Sequence, residues 1–136
     1  MLTKAFSELK ISVSISIGVK LFMKLQYSEL DNSIRLIKLI GTLDLTGAYG
    51  IEVEFVRRCE GENVRVLVDL SEVDYISSIG VHMLVSAANS VARHRGKMVL
   101  FSPQRKVMDV LELTGISQLV PVYPELGAAK VGVFAA

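Results

Sequence analysis

A run of β-branched and apolar residues near the middle of the chain, residues 64–70, predicts a strand that is covered on both faces inside a sheet. A polar loop is predicted next, at residues 71–76. Apolar residues then recur at helical spacing over residues 79–88, with no proline among them, which predicts a helix. Ser77 and Ser78 stand where this helix should begin, and serine is a favoured N-cap because its oxygen accepts from unpaired backbone N–H groups. The strand therefore leads into a helix whose positive end presents two hydroxyl groups.

The same patterns predict the other elements of the fold. Two strand-like runs, residues 24–28 and 34–40, flank turn-forming residues and predict an antiparallel hairpin. Further strands are predicted at 97–102 and at 119–123, the latter at a sheet edge because Pro121 cannot donate to a neighbour. Helices are predicted at about 44–59, 78–95, 103–115 and 124–131. Alternating strands and helices call for parallel pairing, so the prediction is one α/β domain with a small, mixed, largely parallel sheet flanked by about four helices.

The first of these helices, residues 44–59, has Asp44 or Thr46 available as its cap. Gly47 and Gly50 lower the helix propensity of its first turns by up to ~1 kcal/mol each relative to alanine, which predicts a late or frayed start. Helical spacing assigns two sets of side chains. The set expected to face inward is Ile51, Phe55 and Val56, and the set expected to face outward is Glu52, Glu54, Arg57 and Arg58.

Residues 1–22 differ from the rest of the chain. Ile11, Val13 and Ile15 alternate with serines, which is strand periodicity, but no turn-forming residues connect them firmly to Met23. Two interpretations stay open: an extra edge strand, or a loosely held tail that arises from an upstream start codon. We favour the tail and place the domain at residues 23–136.

Composition restricts the kind of protein. The 136 residues suffice for one domain, and 15 basic and 14 acidic residues are scattered without a basic stripe, which argues against direct nucleic-acid binding. The apolar runs are shorter than the ~20 residues that a membrane span needs. Lys4, Glu8 and Lys10 interrupt the only segment where a signal-peptide core could lie, so we expect a cytoplasmic protein. The single cysteine, Cys59, is expected to be a structural thiol.

Catalytic and metal-binding patterns are missing from the sequence. It contains neither G-x-x-x-x-G-K-[ST] nor G-x-G-x-x-G, and we expect no cofactor. His82 and His94, the two histidines, are twelve positions apart on one predicted helix and form no metal site with the single cysteine. Ser78 and His82 share a helix face, but no G-x-S-x-G elbow surrounds the serine, so a hydrolase is disfavoured. Composition alone favours a capping role for both serines.

The segment Asp69-Leu70-Ser71-Glu72-Val73-Asp74-Tyr75-Ile76-Ser77-Ser78-Ile79-Gly80 resembles the signature of the STAS domain, most closely that of bacterial anti-sigma factor antagonists. The likeness covers nearly all of residues 23–133. Other short motifs stand in the matching order, namely Gly41-Thr42-Leu43-Asp44, Gly96-Lys97, Ser102-Pro103 and Leu113-Thr114-Gly115-Ile116. The match is specific because several motifs occur in the right order; no single motif would be specific enough.

The resemblance implies a phosphorylation-controlled switch. Such proteins bind an anti-sigma factor that is also a serine kinase, and they free a sigma factor while they hold it. Phosphorylation at the signature serine releases the partner, and a serine phosphatase resets the protein. The family serine falls on Ser78, whereas the family's usual aspartate is replaced by Ser77. That second hydroxyl is another possible acceptor, so Ser77 is the less favoured phosphorylation site.

A partner-binding surface is expected around the phosphorylation site. Asp44 matches a family aspartate near the same surface. The other residues expected there are Asp74, Tyr75, Ile76, Ser77, Ile79, Gly80, Val81 and His82. A phosphate at a helix N-terminus is favoured by ~0.3–2 kcal/mol, so the fold should survive it. A docked partner, however, would have to desolvate the added charge, at a cost of several kcal/mol.

Other functions are compatible with the same fold. The chain could act constitutively, as an accessory subunit resembling the STAS subunits of lipid-transport complexes or as a scaffold of stress-signalling assemblies. A small-ligand sensor ranks third because no sizeable apolar pocket can be read from the sequence. An enzyme ranks last, and the oligomeric state is not indicated.

Overall fold

Five strands and four helices make up residues 23–135, the part of the chain that the computed structural model describes. The strands are β1 (Met23–Leu30), β2 (Ile34–Leu43), β3 (Arg65–Ile76), β4 (Lys97–Phe101) and β5 (Val122–Tyr123). The helices are α1 (Leu45–Arg58), α2 (Ser78–Arg93), α3 (Arg105–Leu113) and α4 (Leu126–Gly132). The prediction of a tail or an extra edge strand at residues 1–22 lies outside the described residues.

The sheet has the strand order β1-β2-β3-β4-β5. The hairpin of β1 and β2 is antiparallel, and the other three pairings are parallel, each joined by a crossover helix. The short strand β5 lies at the edge, as Pro121 indicated. The predicted α/β fold, with a mixed and largely parallel sheet and four flanking helices, is confirmed.

The core lies on both faces of this sheet. Helices α1, α2 and α3 cover one face through side chains such as Phe55, Leu84 and Leu111, which are fully buried. On the opposite face, Ala129 and Val133 near the C-terminus pack against the inner strands. Strand β3 is therefore covered on both sides, as its uninterrupted apolar run predicted. Within residues 23–135, no helix combines the length and the apolar character needed to cross a membrane.

The polar loop predicted at residues 71–76 is wrong, because β3 continues as a strand to Ile76. Its last residues pair with β2 alone, up to the pair Leu43 and Ile76, because β4 ends opposite Asp69. A strand that has lost one neighbour is more open to solvent and tolerates polar residues, which is why the sequence looked like a loop. The hydroxyl of Thr42 donates to the Asp74 carboxylate over 2.9 Å and links the two strands beyond the ladder.

The predicted late start of α1 is also wrong. The helix begins at Leu45, directly after Asp44, whose carboxylate accepts from the Gly47 N–H over 2.9 Å. Gly47 is required by packing, because a Cβ at this residue would overlap the carbonyl oxygen of Thr42. The glycine that lowers helix propensity therefore permits close contact between α1 and the end of β2.

The inward and outward sides of α1 differ from the prediction at two residues. Glu54 was expected to face solvent but is only 9% exposed, and its carboxylate contacts Arg58 Nε at 2.6 Å and Arg57 at 3.3 Å. Val56 was expected to face inward but is 45% exposed. The helix is rotated so that Gly47, Ile51 and Glu54 share the covered side, and the two arginines compensate the buried charge.

Two predicted element boundaries in the C-terminal half of the fold also differ from those in the structure. Helix α3 begins at Arg105 with Gln104 as its N-cap, so Pro103 precedes the helix instead of opening it. The strand predicted at 119–123 is reduced to Val122–Tyr123, because a short turn of 3-10 helix, Ile116–Gln118, follows α3. Gly115 ends α3 with a positive φ of 78°, in keeping with its predicted role as a helix stop.

Candidate functional site

The N-terminus of α2 has two adjacent serines in different environments. Ser77 is the N-cap: its hydroxyl accepts from the Gly80 N–H at 3.4 Å and donates to the Leu43 carbonyl at 3.3 Å. Its backbone N–H also donates to Leu43. Ser78 is the first helical residue, it is exposed, and its hydroxyl has no hydrogen-bond partner among the described residues. The two serines are therefore not equivalent: Ser77 is engaged by the fold and Ser78 is free.

Gly80 brings this helix end close to β2. A Cβ at Gly80 would lie 2.5 Å from the carbonyl oxygen of Leu43 and 2.8 Å from its Cγ. Only a residue without a side chain allows such an approach. Gly80 and Gly47 therefore seat the starts of α2 and α1 against the same end of β2.

The sheet brings Asp44 and the serines together. Asp44 follows the last residue of β2 and Ser77 follows the last residue of β3, and these two strands are parallel neighbours with Leu43 paired to Ile76. Each residue caps the helix that follows it. Two helix N-termini thus lie side by side at the carboxyl edge of the sheet, where ligands and partners of open α/β sheets commonly bind.

The residues predicted around Ser78 divide into exposed and buried groups. Tyr75 and Ile79 are 53% and 45% exposed, and Asp74, Ser78 and His82 are exposed as well. We call these five residues, together with the half-buried Asp44, the Ser78 surface. Ile76, Gly80 and Val81 were also expected to contact a partner, but their side chains or backbone lie in the core. Strand alternation turns Ile76 inward and Tyr75 outward, so the buried residues support the surface from below.

A groove between α1 and α2 was not predicted. It encloses about 690 Å³ and continues from the Ser78 surface along both helices. Its apolar wall residues include Leu45, Val56, Ile79 and Met83. The signal was present in the sequence as a second apolar stripe on α1, Leu45, Tyr49, Val53 and Val56, all of which are exposed. The expectation that the chain has no sizeable apolar cavity is therefore wrong.

Other residues considered from the sequence have structural roles or none. Cys59 is buried, and desolvation raises the pKa of its thiol to about 12, so it remains protonated at neutral pH. His94 is the C-cap of α2, and its Nδ1 lies 2.8 Å from the Ser90 carbonyl oxygen. In residues 23–135, no group of His, Cys, Asp and Glu side chains is arranged to hold a metal ion.

The family model of the STAS domain matches residues 28–129, which is most of the chain. The chain belongs to the STAS domain family. BtrV of Bordetella bronchiseptica, described as a candidate anti-sigma factor antagonist, is 29% identical over 100 residues, which cover 74% of this chain and 85% of BtrV. The name denotes a regulatory protein that opposes an anti-sigma factor, and not an enzyme.

Solved STAS structures have the same fold. An anti-sigma factor antagonist domain from Planctomyces limnophilus superposes with a TM-score of 0.73 at 19% identity, covering 82% of this chain and 98% of that one. SpoIIAA is similar both in its unphosphorylated form, with a TM-score of 0.65 over 82% of this chain and 99% of SpoIIAA, and in the phosphorylated form from Bacillus, with a TM-score of 0.57 over 79% and 97%. These two are 18% and 15% identical to this chain, so they show the shared architecture.

Mutation can distinguish the stabilisation that Asp44 gives as a hydrogen-bonding helix cap from the stabilisation that its charge gives. We expect Asp44→Ala to lower the free energy of unfolding by about 1 kcal/mol, because the Gly47 N–H loses its acceptor. Asp44→Asn should stay within about 0.5 kcal/mol of wild type, since asparagine caps as well as aspartate. Urea denaturation followed by circular dichroism measures both. Equal losses for the two variants would show that the carboxylate charge, and not the cap, stabilises the helix.

Proposed function

We propose that this chain is an anti-sigma factor antagonist, that it binds an anti-sigma factor with serine kinase activity, and that phosphorylation of Ser78 releases this partner. A serine phosphatase restores the binding form. The observation that carries the proposal is the exposed hydroxyl of Ser78 at the start of α2, which has no hydrogen-bond partner within residues 23–135 and lies inside a surface of exposed apolar and polar side chains. The names of the relatives supply the class of partner. Because the proposed kinase would use ATP to act on a sigma factor's regulator, we also propose that this function is cytoplasmic.

The environment of the two serines favours Ser78 as the acceptor. A kinase needs the hydroxyl to reach the transferred phosphoryl group in line. The Ser77 hydroxyl is half-buried and makes two contacts: it accepts from the Gly80 N–H as the cap of α2, and it donates to the Leu43 carbonyl of β2. Phosphorylating Ser77 would remove the O–H that donates to Leu43 and place a dianion at a half-buried residue, whereas phosphorylating Ser78 leaves the contacts of Ser77 in place.

A phosphate on Ser78 would act on the surface and not on the fold. It adds about −1.5 to −2 charges next to the first N–H groups of α2, where the helix dipole favours an anion. Tyr75 and Ile79 flank this place and would be covered by a docked partner. Covering them would desolvate the dianion, which costs several kcal/mol. That SpoIIAA has been solved with a similar fold in both phosphorylation states supports a switch of this kind.

Phosphorylation in vitro tests the proposal. The full chain is incubated with ATP and its cognate anti-sigma factor, and the modified residue is located by tandem mass spectrometry. We expect one phosphate, on Ser78, and none after Ser78→Ala. Ser77→Ala is the matched control, which should still be phosphorylated despite a weaker cap. Phosphate on Ser77 in the wild type would reassign the site. Stable binding with no phosphate on either serine would favour the constitutive accessory or scaffold role.

A further inference from the structure

The groove between α1 and α2 has the shape of a trough. Its helical walls run from Leu45 to Val56 on α1 and from Ile79 to Ser90 on α2, which is about 17 Å along each helix at ~1.5 Å per residue, and Glu60 and His94 line it just past the two helix ends. Its apolar wall is open to solvent along this length, since Leu45, Val56 and Ile79 are each about half exposed. A small-molecule pocket covers ~70–90% of its ligand. An open trough between two parallel helices instead fits an elongated occupant, such as a third helix.

The side chains that line the groove indicate what kind of helix would fit it. The floor is apolar, since Ala48, Met83 and Ala87 line the groove and are nearly fully buried, and the small alanine side chains leave room for larger ones. Glu52 lies on α1 and Glu60 lies just beyond its C-terminus, both line the groove, and neither carboxylate takes part in an ion pair among the described residues. Among residues 23–135, no lysine or arginine lines the groove. Such a groove is complementary to a helix with one apolar face and basic residues beside it.

We infer that the α1–α2 groove binds a basic amphipathic helix of the anti-sigma factor, as an extension of the Ser78 surface. Ile79 and His82 belong to both the groove and that surface, so one partner can cover them together. The identity of the partner rests on the proposed function; the helical, basic character of the occupant rests on the groove alone. Apolar residues of the helix at spacings of three and four would lie against Val56 and Met83.

Variants on both walls test the inference. Val56→Lys puts a cation inside the groove, and Val131→Lys makes the same change at a residue 75% exposed on α4, which packs on the opposite face of the sheet. Ser86→Trp fills the groove from the α2 wall, and Asn89→Trp is its control on the same helix outside the lining. We expect each groove variant to weaken binding of the unphosphorylated chain to its anti-sigma factor by about tenfold or more, and each control to stay within about twofold. Calorimetry gives the affinity, and thermal melts verify that all four variants fold.

Charge and helicity are tested separately. Glu52→Lys with Glu60→Lys should weaken binding and reduce its salt dependence, whereas Glu112→Lys on α3 should do neither. Each helix of the anti-sigma factor is then synthesised as a peptide of about 20 residues. One basic peptide should bind the wild-type chain, gain helicity by circular dichroism, and lose affinity for Val56→Lys. If no peptide binds, the occupant is not an isolated helix and the inference is overturned.

The outcomes for the groove and for the phosphorylation switch are distinguishable. If Val56→Lys and Ser86→Trp bind fully while phosphorylation of Ser78 abolishes binding, the groove is not the binding site and the proposed function stands. If the groove variants bind more weakly while phosphorylation has no effect, the groove is supported as the binding site and the phosphorylation switch is excluded. If binding is unaffected by every variant and by phosphorylation, both the groove and the switch are excluded.

Discussion

Ser78→Asp is expected to weaken binding of the anti-sigma factor by about a hundredfold, while the melting temperature stays within about 2 °C of wild type. Ser78 makes no side-chain hydrogen bond among the described residues, so its replacement should leave the free energy of unfolding unchanged. A carboxylate at the first turn of α2 is favoured by the helix dipole. Under a docked partner the same carboxylate would be an unpaired buried charge, and a loss of ~2.7 kcal/mol corresponds to a hundredfold in affinity.

The control for this variant adds the same charge elsewhere on the helix. Asn89 is exposed on α2 and lies outside both the Ser78 surface and the groove. Asn89→Asp should therefore bind within about twofold of wild type. Affinity is measured by calorimetry and stability by thermal denaturation. Unchanged affinity for Ser78→Asp would argue against an electrostatic switch, and a large fall in its melting temperature would point to local unfolding instead.

Gly80→Ala is expected to destabilise the protein by about 2–3 kcal/mol, a fall of roughly 6–15 °C in melting temperature. The added Cβ would lie 2.5 Å from the backbone oxygen of Leu43, which cannot rotate away as a side chain could. The start of α2 would have to move off β2, which would strain the Ser77 cap. In most helices the same substitution stabilises, because alanine has the higher helix propensity.

Ser78→Ala, two residues earlier in the same turn, is the matched control for stability. It removes a free hydroxyl and should change the free energy of unfolding by less than about 0.5 kcal/mol. Gly47→Ala should behave like Gly80→Ala, because its Cβ meets the Thr42 carbonyl at the neighbouring helix start. A neutral or stabilising Gly80→Ala would mean that α2 is not held as closely to β2 as the structure shows.

Several features of the site could be predicted because their causes are local. Ser77 caps α2, Asp44 caps α1 and His94 ends α2, each through contacts within four residues along the chain. Capping chemistry depends on the residue type and on the helical period that follows it, and both are visible in the sequence.

Other features depended on contacts between distant segments. Ser77 and Ser78 look alike in sequence, and what distinguishes them is a hydrogen bond from Ser77 to Leu43, 34 residues away. Glu54 is buried and Val56 exposed because the sheet decides which side of α1 is covered. Gly47 was interpreted as a weak point of its helix, since the Thr42 carbonyl that requires a glycine lies on another element.

By itself, the sequence determined the order of strands and helices, two candidate caps for each of α1 and α2, and the family to which the chain belongs. Each of these follows from periodicity, residue type or motif order, which need no knowledge of neighbours in space. Only the tertiary structure decided which serine is free, which signature residues are buried, and that α1 and α2 leave a groove between them. The reason is physical: burial and close approach are set by side chains and carbonyls brought together from separate parts of the chain by the sheet.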